Sequence, residues 1–316
     1  MKCMDWCSMP PTRYPNTVTC NGISIIGGGR LGRSLGRSLR ERGWKIHSVV
    51  TRSQATARRA VRSIGGGHAR ATISNDVFLA PIVLISVPDS AIPDVVQQLA
   101  AVAEPGARNR FVLHTSGALC SGVLAPLRGL GASVGSVHPL QSFSGVSAPS
   151  LEGRVFTIEG DNGAVRVSRS LARALGGQIV LVDSTDKPLY HAAASMAASQ
   201  VLAEVEAAVQ IFASLGMKRR EALRALLLLT SQVLENQQRL GSRAAWTGPL
   251  ARGDFRVIAD HEKALRSCPG EYLAAYRAMN RLAARVLASN PERMLAALDH
   301  ISREPAHSLR AKGVSA

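Results

Sequence analysis

Gly27, Gly29 and Gly32 directly follow the apolar run ISII and open a stretch in which Leu31, Leu35 and Leu39 recur at helical spacing. That G-x-G-x-x-G pattern suits a dinucleotide phosphate. The first glycine permits a tight turn, the second lets backbone approach a pyrophosphate, and the third lets helix and strand pack closely. The helix start, with the amides of Arg30 and Leu31, supplies free N–H groups for the anion. The next apolar run, KIHSVV, ends at Thr51, Arg52 and Ser53, where an NAD site usually places an acid on the ribose hydroxyls. A guanidinium and two hydroxyls suit a 2′-phosphate instead, so NADP(H) is favoured over NAD(H). The plain alternative is that Arg52 is one more arginine in an arginine-rich chain.

Polar residues gather after later apolar runs. SVPDSAI offers Val87 and Pro88 to the cofactor, HTSGAL offers Thr115 to the cofactor and Ser116 to catalysis, and HPLQSF offers His138 and Gln141. Hydride transfer asks the protein to orient a substrate and move one proton. Histidine suits the proton, since its unperturbed pKa lies near neutrality. His138 is the first candidate acid/base, set against a histidine that merely bonds backbone before a structural proline. His191 is the second; Ser195 and Ser199 follow it at i+4 and i+8 on one helix face. Small-residue helix packing would explain those serines equally well. Gln141, Ser195 and Arg252 are candidate substrate contacts. In TGPLARGD, Asp254 is placed to cap a helix beginning near Phe255, with Arg252 on the preceding loop. His261 lies further along that helix.

These residues need elements to hold them. From Ile23 to about Asp183 short β-rich runs (GISIIG, KIHSVV, PIVLISV, FVLHTS, SVGSVHP, RVFTIEG, QIVLVD) alternate with helical stretches, which predicts βαβ units and a mostly parallel sheet. From about Pro188 to Ile301 alanine and leucine dominate and the β-branched runs vanish, predicting helices. The expected order is therefore an N-terminal extension over 1–20, a Rossmann α/β domain over 21–184, an all-helical domain over 185–303 and a tail over 304–316. Pro188 is placed to open a long helix.

Bulk properties narrow the function classes. A net charge of +16 raises nucleic-acid binding, but the arginines are scattered, aromatics are 4% and no nucleic-acid motif appears. A basic surface that attracts small anions is the better reading. The five cysteines lack a zinc spacing, so no metal is expected and the thiols read as reduced. No uninterrupted apolar run reaches the ~18 to 20 residues of a membrane span, and the N-terminus lacks a secretory pattern, so a cytoplasmic protein is expected.

GGGRLG, SVPDSAI, HTSGAL, VHPLQSF, the YHAAA helix start and TGPLARGD together resemble the Rossmann-like proteins that carry a C-terminal DUF2520 domain. That is a branch of the 6-phosphogluconate dehydrogenase-like superfamily, near pyrroline-5-carboxylate reductases and F420-dependent NADP oxidoreductase-like proteins. The resemblance spans roughly residues 22 to 290 and implies an NADP-type Rossmann domain, a helical domain that commonly dimerises, and a cleft between them. VGSVHPLQSFSG is also similar to a prephenate dehydrogenase segment, which implies a substrate-facing role for His138 with Ser116 as its polar partner. The lysine of the related hydroxyacid dehydrogenases is not reproduced at the helix entering the second domain; His191 stands in the comparable stretch and Lys187 lies a turn earlier.

Two function classes follow. One is an NADP(H)-dependent oxidoreductase acting on a small anionic carbonyl, imine or hydroxy-acid metabolite, as a homodimer. The other is a non-catalytic NADP-binding sensor or partner protein.

Overall fold

The structure, a computed structural model, describes residues 22–104, 106–144 and 149–303, with side chains to 301. The expected extension with Cys3, Cys7 and Cys20, and the tail from 304, lie outside the described residues.

The first half alternates strand and helix: β1 (Gly22–Ile26), α1 (Arg30–Glu41), β2 (Lys45–Val50), α2 (Gln54–Ile64), β3 (His68–Arg70), β4 (Ile82–Ile85), α3 (Ile92–Ala101) and β5 (Phe111–His114). It continues through α4 (Ala125–Gly129), β6 (Ser133–Pro139), β7 (Val155–Gly160), α5 (Asn162–Ala174), β8 (Gln178–Leu181) and α6 (Lys187–Ser195). The eight strands form one sheet in the order β3-β2-β1-β4-β5-β6-β7-β8. Every neighbouring pair is parallel except β6 and β7. The mostly parallel Rossmann sheet is thus present, with the first six strands in the doubly wound order. Strand β3 was not foreseen, because its three residues HAR form an edge strand without an apolar run.

Side-chain alternation along each strand feeds two cores. Ile82 and Leu84 of β4 join Ile23, Ile25, Leu35 and Leu39 on one face; Val83 and Ile85 join Ile26, Val96, Leu99 and Val112 on the other. Burying both faces explains why β4, IVLI, is apolar throughout, each full aliphatic side chain contributing roughly 1.5–3 kcal/mol. The parallel strands bring their carboxyl ends to one edge, so the segments after β2, β1, β4, β5 and β6 line it in that order. At ~4.8 Å per strand the edge from β2 to β6 runs about 19 Å.

The chain divides into two compact units between Ala198 and Ser199. The division falls in a π-helical turn, Met196–Gln200, that joins α6 to α7 (Val201–Ser214). Pro188 occupies the first turn of α6, as expected. The second unit adds α8 (Arg219–Leu240), the short α9 (Ser242–Ala245) and α10 (Pro249–Arg252), then α11 (Phe255–Leu265), α12 (Gly270–Leu287) and α13 (Pro291–Arg303). Leu250, Ile258, Ala284, Leu295 and Leu298 form its core. Although no unbroken apolar run is that long, one helical stretch among the described residues, Ser184–Ser214, has the length and composition to cross a membrane. It carries exposed Leu189, Met196, Val201 and Leu202.

Candidate dinucleotide site and histidine cluster

The glycine loop behaves as its spacing predicts. Gly27 has φ +115°, and a Cβ there would lie 2.0 Å from the Ser86 carbonyl oxygen. The close approach is built by the Gly27 amide donating to Val50 O at 2.8 Å and the Ser86 amide donating to Ile26 O at 2.7 Å. A Cβ on Gly32 would meet Gly27 O at 2.3 Å, so the third glycine locks α1 onto the turn. Gly29 differs: a Cβ there would meet nothing within 4 Å. It is the N-cap of α1, whose start has no side-chain cap and no acid in its first turn. Open space above uncapped amides, beside the exposed Arg30, fits a pyrophosphate. Val87 packs beside Gly27, and Pro88 is exposed at the next strand end. Thr115 is buried, its amide donating to Ile85 O at 3.0 Å.

At the second strand end the side chains split in role. Thr51 Oγ1 donates to Ser53 O at 2.9 Å, and Ser53 Oγ caps α2 by accepting from the Thr56 amide at 3.3 Å. Both hydroxyls shape the turn. Arg52 is exposed and makes no hydrogen bond or ion pair among the described residues. Its guanidinium is the group available to an anion.

Three strands along the edge from the glycine loop lies a cluster of aromatic side chains. His138 Nδ1 is 2.9 Å from Tyr190 Oη, and the His138 and His191 rings stand edge to face with centroids 5.9 Å apart. Gly117 fits against both: a Cβ there would lie 2.5 Å from His191 Nδ1 and 3.0 Å from His138 Nε2. Only glycine leaves the two rings this close. His191 Nδ1 is buried without a hydrogen-bond partner among the described residues. Ser116 does not pair with His138 as the resemblance implied. Its Oγ accepts from the Ala118 and Leu119 amides at 3.2 and 2.9 Å, which shapes the loop that carries Gly117. Tyr190, which the sequence reading did not single out, takes the position expected of Ser116.

Lys187, a turn before the position comparable to the hydroxyacid dehydrogenase lysine, also reaches this cluster. It is 2% exposed, and its Nζ donates to Ser116 O at 2.9 Å and to Ser136 Oγ at 2.6 Å. Burial lowers its pKa to about 8, against which Glu159, Cys120 and Asp89 work. The same ammonium acts on two histidines. His138 is lowered to about 4 by burial, then by Lys187 and His191; His114, fully buried, is lowered to about 3 by burial and then mainly by Lys187. Burial raises the Tyr190 phenol. At neutral pH the His138 and His114 imidazoles and the Tyr190 phenol are therefore neutral.

A stability prediction follows. Below pH 6.5 both histidines protonate in the unfolded chain, whereas in the fold they stay neutral until about pH 4 and 3. The unfolded state then binds more protons, so stability is full above pH 6.5 and falls as pH drops toward 4, by up to about 2.7 kcal/mol per pH unit. Urea midpoints at pH 7.5 and 5 should show the loss. His114→Asn, which keeps an acceptor for the Ser116 amide, should roughly halve the slope.

Gln141 serves local structure. Gln141 Oε1 accepts from the Ser142 amide at 2.9 Å and its Nε2 donates to Ser150 O at 3.3 Å. Ser195 is half-buried in the last turn of α6. Asp254 holds the N-cap position of α11 but makes no side-chain cap, because its carboxylate accepts from Arg252 Nε at 3.0 Å. Arg252 is exposed and Asp254 half-buried in the second unit, where His261 Nδ1 is 2.8 Å from Tyr276 Oη.

Residues 11–139 match the profile of the Rossmann-like domain, and residues 154–283 match that of DUF2520, a domain of unknown function. No curated protein sequence matches the chain. Among solved structures, the fold is shared with the Bacteroides fragilis protein BF3122, a proposed NADP oxidoreductase, at 22% identity over 82% of this chain and 96% of that one, TM-score 0.67. It is shared with an Aspergillus terreus reductive aminase in complex with NADPH and ethyl-5-oxohexanoate at 19% identity, 84% and 94% coverage, TM-score 0.64. A Coxiella burnetii pyrroline-5-carboxylate reductase follows at 16% identity, 89% and 97% coverage, TM-score 0.54.

Proposed function

We propose that this chain, a Rossmann-like domain followed by a DUF2520 domain, is an NADP(H)-dependent oxidoreductase acting on a small anionic carbonyl, imine or hydroxy-acid compound. The observation that carries the reading is the juxtaposition, on one sheet edge, of a glycine loop open at Gly29 and the buried His138 imidazole packed edge to face on His191 three strands away. The fold neighbours described with NADP or NADPH support the same cofactor. Bound nicotinamide cofactor supplies or takes up the hydride. The chain's own work is to place the reacting carbon and handle its proton. His138 Nε2 turns toward Gly117 while Nδ1 meets Tyr190. When Nε2 takes a proton from a hydroxyl or an amine, the Nδ1–H donates to the phenol oxygen; in the reverse direction Nε2–H donates to the substrate. The test is consumption of NADPH with a panel of short keto acids and cyclic imines, run beside a His138→Asn control. Consumption with some panel member that the control loses supports the reading. Cofactor binding without turnover across the panel favours the sensor alternative.

Arg52 is the determinant of cofactor choice in this reading. Arg52→Ala should weaken NADPH binding by about ten-fold, the order expected of one exposed charge-assisted contact, and leave NADH binding unchanged. Calorimetric titration of the variant checks it. The exposed Leu227, Leu228, Leu229 and Leu234 of α8 support a homodimer formed through the second unit.

A further inference from the structure

We propose that Lys187 is a positioning residue whose buried ammonium ties the Ser116–Gly117 loop and strand β6 to the helix start that carries Tyr190 and His191, and so sets the spacing of the histidine pair.

The argument rests on two periodicities. Lys187, Tyr190 and His191 stand at i, i+3 and i+4 of α6, hence on one helix face. Ser136 and His138 stand at i and i+2 of β6, hence on one sheet face. The two faces meet at two points, Lys187 Nζ on Ser136 Oγ and Tyr190 Oη on His138 Nδ1. Nζ donates as well to Ser116 O, the carbonyl immediately before Gly117, against which both rings lie. The loop is gripped at its far end too, since Glu159 of β7 accepts from the Ser121 amide and hydroxyl at 2.6 and 2.8 Å.

Burying an ammonium costs several kcal/mol unless its surroundings compensate. Packing α6 on the sheet could be done by an aliphatic side chain at lower cost. A charge held by two specific acceptors instead fixes one arrangement of loop, strand and helix. The groups facing it are Glu159, Cys120 and Asp89, with His114 and His138 on the other side of the balance. Lys187 itself is too buried to touch a substrate.

The proposal rests on the reading of His138 as the acid/base beside His191, so its test is chosen not to need a substrate. Imidazole resonances of His138 and His191 would be followed against pH by NMR in the wild type, Lys187→Met and Ser136→Ala. In Lys187→Met the His138 midpoint should rise by about one unit, the effect of removing a nearby like charge, and both ring environments should change. In Ser136→Ala, which keeps the cation and guards against a methionine variant that does not fold, the ring resonances should move. Where turnover is measurable, both variants should lose about ten-fold in kcat, the order of one displaced hydrogen-bonded contact, with NADPH affinity unchanged. Unchanged ring resonances and His138 midpoint in folded variants would overturn the proposal and leave Lys187 a packing residue. A wild type that turns over nothing defeats only the oxidoreductase reading, because the resonances report on Lys187 regardless.

Discussion

His138→Asn lowers turnover by about 10²- to 10⁴-fold, the usual worth of a placed acid/base, and leaves NADPH affinity unchanged. Asparagine keeps a polar group near Tyr190 but cannot take up a proton at the position of Nε2. Affinity is spared because His138 stands three strands from the glycine loop, at the other end of the edge. Tyr190→Phe removes the phenol oxygen 2.9 Å from Nδ1 and should cost less, about ten-fold, as befits one hydrogen bond. The direction of the His138 shift also sets the pH profile. With the imidazole lowered to about 4, proton uptake in the oxidative direction should persist through pH 6 and fail only as pH approaches 4. An unperturbed histidine would fail near 6.5. Steady-state rates of wild type and both variants across that range check the prediction.

Gly29→Ala separates cofactor space from fold. A methyl there meets no protein atom within 4 Å and φ is −69°, so stability should change by less than about 1 kcal/mol. The same methyl enters the space assigned to the pyrophosphate. Overpacking of about 1–3 kcal/mol translates to NADPH binding weaker by about 5- to 150-fold. Gly32→Ala gives the contrasting result: its Cβ would sit 2.3 Å from Gly27 O, backbone that cannot yield without opening the turn, so it should lower thermal stability as well as binding. Thermal melts paired with NADPH titrations of the two variants distinguish the roles. Weak binding in Gly32→Ala alone, with Gly29→Ala binding like wild type, would remove the phosphate from the loop.

The features legible in the sequence are the local ones. The glycine spacing and the apolar runs report a few residues' worth of backbone and burial, and β1, α1 and β2 follow from them. His138 stood out because a polar group after an apolar run is poor packing material. What the sequence concealed depends on pairings across the fold. Tyr190 meets His138 over 52 residues and Lys187 meets Ser116 over 71; no periodicity within one segment encodes either. The resemblance pairs Ser116 with His138, whereas its hydroxyl closes a turn of its own backbone. Asp254 was similarly drawn from capping by a nearby guanidinium. Gly117 shows its purpose only once α6 brings His191 beside it.

The measurement that bears most directly on the central claim is calorimetric titration of the wild-type chain with NADPH and with NADH. NADPH should bind at one site per chain, about ten-fold or more tighter than NADH, if Arg52 meets the 2′-phosphate. Failure of a folded chain to bind either nucleotide would contradict the account and leave the glycine loop a structural turn without a cofactor.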